Sequence, residues 1–138
     1  FYIFLILIFY FKGIDIKTVW QKFLLALLPF FIFTHFHAQW FLWLTPLLII
    51  DLIYSKFRHM ILTVVLLGCW FASLFFFDPS LTVGIFSPLW PPLYNLPGLW
   101  EILGLNLDIN FTRSIIQTIF AATAAYLLYN YFPKKEYE

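Results

Sequence analysis

Charge is what this sequence has least of. Only 11% of its 138 residues are Asp, Glu, Lys or Arg, while 63% are hydrophobic and 24% aromatic. A soluble domain spends about a quarter of its residues on charge and keeps its apolar share near half, so these side chains cannot cover a water-exposed surface. A mean hydropathy of +0.89 points to lipid as the main solvent. The formal charge of +1 excludes the broad basic face that nucleic-acid binding requires. The single cysteine, Cys69, excludes an intrachain disulfide and a multi-cysteine metal framework. Also missing are a Gly-rich phosphate loop, a serine-nucleophile motif and closely spaced paired carboxylates, so no complete catalytic set is visible.

What is present is a series of apolar runs. Phe1 lies inside the first of them, with no basic n-region or cleavage site before it, so the expectation is the C-terminal region of a longer membrane protein rather than a signal peptide. A hydrocarbon core about 30 Å thick takes roughly 20 helical residues. On that ruler the chain is expected to be an all-α membrane protein with about five transmembrane helices, over 1–11 (truncated), 18–34, 40–54, 60–77 and 114–132. A single helix over 18–54 would extend about 55 Å, far beyond the core, so a reversal is expected in the polar cluster Thr34 to Gln39. Asp78 to Arg113 holds Pro79, Pro88, Pro91, Pro92 and Pro97 with Trp90, Tyr94 and Trp100. It is expected to be a long Pro- and aromatic-rich extracytoplasmic loop along the membrane surface or a cavity, with a short amphipathic helix near 99–105.

Alternating sides along these spans puts Lys12, Lys17, Lys22, Lys56, Arg58, Lys134 and Lys135 on one face and Arg113 alone on the other. The positive-inside rule makes the lysine-rich face cytoplasmic. The His35 to Gln39 cluster and the long loop therefore share the opposite face.

The chemistry-bearing residues are few. His35, His37 and Gln39 share one side of an extended reversal, whereas on a helix His35, Gln39 and Trp43 form a stripe. Imidazole and amide donors can bind phosphate or sugar hydroxyls, and the Trp40 and Trp43 indoles suit the apolar side of a sugar or an isoprene unit. The plainer alternative is a hairpin end anchored in headgroups. The histidines lack a third ligand at metal-site spacing, and a turn is a poor place for haem ligands. Asp51 is expected to pair with Tyr54 or Lys56, His59 to sit at the cytoplasmic interface, and Asp108 and Arg113 to form a surface ion pair. The triplet Asn110-Phe111-Thr112 matches a glycosylation acceptor but abuts the last span and is read as chance.

The string His35-Phe36-His37-Ala38-Gln39-Trp40-Phe41-Leu42-Trp43-Leu44-Thr45-Pro46 resembles the His/Ser-Pro-Gln-Tyr/Trp-x-x-Trp-x-x-Pro signature of multi-pass membrane glycosyltransferases of the GT-C class. That class includes relatives of the GPI mannosyltransferases and polyprenyl-phosphate-dependent mannosyltransferases. Gln39, Trp40, Trp43 and Pro46 fit; Ala38 stands where proline is usual.

The resemblance implies an integral membrane hexosyltransferase of the mannosyltransferase kind that moves a sugar from a lipid-phosphate donor to an acceptor on the extracytoplasmic face. The substrate-binding residues would be His35, His37, Gln39, Trp40 and Trp43, with the catalytic acid or base in a region before Phe1. The implied partners are membrane lipid and a lipid-linked sugar donor, in a bacterial or archaeal plasma membrane or a eukaryotic endoplasmic reticulum membrane. No cofactor is identified in these residues, and a divalent metal in a full-length enzyme is left open. The competing expectation is a non-enzymatic membrane module, such as part of a transporter or a flippase for lipid-linked sugars.

Overall fold

The computed structural model describes residues 6, 10, 18–34, 38–78 and 83–131. The expected first span, 1–11, lies outside the described residues apart from positions 6 and 10, as do His35, His37 and the lysines at 12, 17, 134 and 135. The described residues are mostly helical, with no strand among them.

Helix α1 runs Val19–Phe33, within a residue of the expected span at either end. The expected span 40–54 is instead two pieces, a 3-10 helix over Ala38–Trp43 and helix α2 over Thr45–Tyr54. Pro46 explains the break. It has no N–H to donate and its ring conflicts with the carbonyl four residues back, so a helix accommodates it best in the first turn, where Pro46 stands. Thr45 marks the restart, its hydroxyl donating to the Phe41 carbonyl at 3.1 Å. Helix α3, Met60–Phe75, stops two residues short of the expected end.

The proline-rich loop is shorter than expected because Asp108 starts a helix. Its Oδ1 accepts the Phe111 amide at 3.1 Å and its carbonyl accepts the Thr112 amide at 2.9 Å. This N-cap arrangement puts residues 109–113, expected in the loop, into the first turns of α5, Ile109–Tyr131. Between Asp78 and Asp108 lie two 3-10 helices, Val83–Phe86 and Pro91–Asn95, and a one-turn helix α4, Leu99–Ile102. Gly104, at φ +64°, closes α4: its amide reaches the Glu101 carbonyl and the Leu105 amide reaches that of Trp100. This paired bonding needs a left-handed residue, which glycine adopts without a Cβ penalty.

Helix α5 is the common partner, packing along both α1 and α3, while α2 packs chiefly on α1. Its inner stripe is Arg113, Gln117, Phe120, Ala124, Leu127 and Tyr131, alternating steps of four and three residues that keep one face of a helix toward its neighbours. Phe120, Ala124 and Leu127 are buried against Leu24, Leu28 and Phe31 of α1 and Leu66 of α3. The small Ala124 permits close helix approach. Phe41 of the 3-10 helix plugs the junction, stacked on Trp70 at 5.5 Å and edge-on to Phe31 and Phe120, each at 5.9 Å.

Of the described helices, α5 is the one long and apolar enough to cross a membrane by itself. Its 23 residues extend about 35 Å. The stretches Val19–Phe33 and Met60–Phe75, and the two-piece stretch Trp40–Tyr54, are apolar and helical but shorter.

Candidate functional site

The bundle has two chemically different ends. At one, the C-terminal ends of α1 and α3 meet the first turns of α5. The last carbonyls of a helix have no partner within it, and α5 supplies donors for both. The Gln117 amide donates to the Phe31 carbonyl of α1 at 3.0 Å. The Arg113 guanidinium donates to the carbonyl of Phe76, the residue capping α3, and lies over the Phe77 ring at 5.9 Å. The Asp108–Arg113 surface pair is therefore not formed: Asp108 caps α5 and Arg113 caps α3.

Next to the Gln117 contact lies an apolar cleft of about 420 Å³, lined by Leu27, Phe30 and Phe31 of α1 and by Trp40 and Trp43. Phe30 meets Trp40 with ring centroids 6.0 Å apart. Trp43 is 73% exposed and Trp40 40%. Both indoles line one cleft because the segment carrying them is a 3-10 helix, whose repeat of three residues sets position 43 over position 40. The alternative helical stripe of His35, Gln39 and Trp43 depends on His35, which lies outside the described residues. Of the five expected binding residues, Trp40 and Trp43 come together in the cleft, Gln39 belongs to the 3-10 helix, and His35 and His37 fall outside the described residues. Leu27, Phe30 and Phe31 carried no signal in the sequence beyond hydrophobicity.

A second apolar cleft of about 310 Å³ lies between the end of α3 and α4, lined by Phe71, Ala72, Phe75, Phe76, Trp100, Leu103 and Leu105. Trp100 stacks on Phe76 with ring centroids 6.4 Å apart and planes 21° apart.

The opposite end of the bundle is polar inside. Asp51 of α2 is fully buried, and both its carboxylate oxygens lie 3.1 Å from His59 Nδ1. The Tyr131 hydroxyl, at the end of α5, donates to the same carboxylate. The expected partners do not take it. Tyr54 is 64% exposed and packs on Trp20 at 5.4 Å, Lys56 is exposed, and His59, expected at the interface, is only 6% exposed. The reason is the α2–α3 turn. Lys56 and Phe57 both adopt left-handed backbone, at φ 53° and 63°, which folds the chain back sharply enough to return His59 to Asp51. Such conformations cost roughly 1–3 kcal/mol each for non-glycine residues and persist only where surrounding contacts impose them. Trp20, edge-on to Tyr131 at 6.0 Å, completes the end; its Nε1 and the Thr63 hydroxyl are buried without a hydrogen-bond partner among the described residues.

Among the described residues, no group of three or more His, Cys, Asp or Glu could hold a metal ion. Comparison with known protein families, with curated proteins and with solved structures gives no match.

Proposed function

We propose that this chain is the membrane-embedded C-terminal part of a glycosyltransferase that takes a sugar such as mannose from a lipid-phosphate donor, and that the cleft between α1 and the 3-10 helix holds the first isoprene units of that donor. The observation that carries this reading is the convergence of Trp40 and Trp43, the two tryptophans of the glycosyltransferase-like string, on one apolar cleft with Leu27, Phe30 and Phe31. A lining of aromatic rings and leucine suits a branched hydrocarbon chain and offers few hydrogen-bonding groups to sugar hydroxyls. The adjacent His35-to-Gln39 segment would carry the polar contacts to phosphate and sugar.

Several features support a bilayer setting. Helix α5 is long enough to cross, and its outward residues Phe111, Ile115, Ile119, Tyr126 and Tyr129 are apolar or aromatic and exposed. Lys22, Lys56 and Arg58 lie at the Asp51 end and Arg113 at the cleft end, as a cytoplasmic and an extracytoplasmic face require. Trp90 and Tyr94, exposed in the proline-rich loop, are residue types that settle at headgroup level.

The test is a transfer assay on the full-length protein in lipid nanodiscs with a polyprenyl-phosphate sugar as donor. Trp40→Ala with Trp43→Ala should raise the KM for the donor about 10-fold, the cost of roughly one aromatic contact. Gln39→Ala should lower turnover. Unchanged kinetics in all of these would overturn the reading, and donor binding without transfer would assign the chain to a lipid-linked-sugar carrier instead.

A further inference from the structure

The wholly enclosed Asp51 lies at the other end of the bundle from the cleft, and its contacts are independent of what the cleft binds. Three elements converge on this one carboxylate: its own helix α2, the α2–α3 turn through His59, and the end of α5 through Tyr131. Removing the negative charge, or leaving it uncompensated, acts on all three at once. The turn that delivers His59 is held in a left-handed conformation at two successive non-glycine residues, so it has a reason to relax when its hold weakens.

We propose that Asp51 and His59 share one titratable proton, and that this proton latches the end of α5 to the α2–α3 turn. With the proton the pair is neutral overall, and the carboxylate accepts from both His59 and Tyr131. Without it a negative charge remains enclosed against a neutral imidazole, a burial that is costly unless the charge is paired. The turn then opens to hydrate the carboxylate, and the end of α5 loses its anchor.

The described groups around the carboxylate come from four helices and the turn. Helix α1 contributes Trp20, and Lys22 further along; α2 contributes Tyr54, which packs on Trp20; α3 contributes the Thr63 hydroxyl; α5 contributes Tyr131. Lys56 and Arg58 of the turn are exposed, and His59 makes the one ion pair to Asp51 among the described residues. The closed state holds one proton more than the open state, so by linkage the latch tightens as pH falls and loosens as pH rises.

Hydrogen exchange read by mass spectrometry on the whole protein in nanodiscs tests this, with protection of the 52–60 peptide corrected for intrinsic exchange. Between about pH 5.5 and pH 8.5, wild-type protection should fall by about 10-fold or more as the shared proton is lost. Asp51→Asn and His59→Gln should each flatten the pH dependence. Tyr131→Phe should keep it in the turn while residues near 131 lose protection at every pH. If Asp51→Asn loses helical circular dichroism, His59→Gln carries the test. Flat wild-type protection, or an unchanged slope in His59→Gln, would overturn the latch.

Discussion

Gln117 of α5 and Phe31 of α1, 86 positions apart in sequence, are joined by a 3.0 Å hydrogen bond from the glutamine amide to a helix-terminal carbonyl. The bond fixes where α5 crosses α1 beside the aromatic cleft. It also answers an acceptor that the end of α1 would otherwise leave open.

Gln117→Leu keeps the bulk of that side chain and removes the donor. The Phe31 carbonyl is then left without its partner in an apolar setting, at a cost of about 1–3 kcal/mol. Thermal unfolding in detergent should show a lower midpoint, with Gln117→Asn, one methylene shorter, giving a comparable loss. An unchanged midpoint would mean that the carbonyl finds another donor.

Lys56→Gly is expected to stabilise the protein. The left-handed backbone at φ 53° costs an L residue about 1–2 kcal/mol, which glycine avoids while losing more chain entropy on folding. The net gain should be up to about 1 kcal/mol in denaturant unfolding. Lys56→Ala retains the Cβ and should bring no gain, which separates relief of backbone crowding from loss of the charge.

Gly98→Ala should disturb the second cleft. A Cβ at position 98 would sit 2.5 Å from the Trp100 ring, so the indole must move from its stack on Phe76. The aromatic contact is worth about 0.5–1.5 kcal/mol. The expected readout is a changed near-ultraviolet circular dichroism spectrum with the far-ultraviolet signal kept, and an unaltered near-ultraviolet spectrum would show that Trp100 does not rest on the glycine.

Hydropathy alone was enough to locate α1 and α3, because each is a single apolar run bounded by polar residues. It misjudged the places where one side chain decides the backbone. Pro46 splits the third apolar run into a 3-10 helix and an α-helix, and Asp108 draws five residues of the proline-rich loop into α5. The cleft was half legible. Trp40 and Trp43 stood out in the string, but their shared face follows from a 3-10 repeat that periodicity does not announce, and the wall from α1 required the packed fold. The Asp51–His59–Tyr131 cluster was not legible. Two left-handed residues without glycine give no turn signal, and Tyr131 lies 80 positions from its acceptor. The four-and-three stripe from Arg113 to Tyr131 was the available clue, since it aligns a terminal tyrosine with the face that meets the other helices.

That stripe also bears on biogenesis. Helix α5 leaves the ribosome after α1, α2 and α3, yet it carries the donors that finish two of those helices and one that answers the carboxylate of the third. Until it arrives, the carbonyls at the ends of α1 and α3 and the Asp51 carboxylate lack these donors, so the hydrogen bonding of the earlier segments is completed only when the last helix has been made.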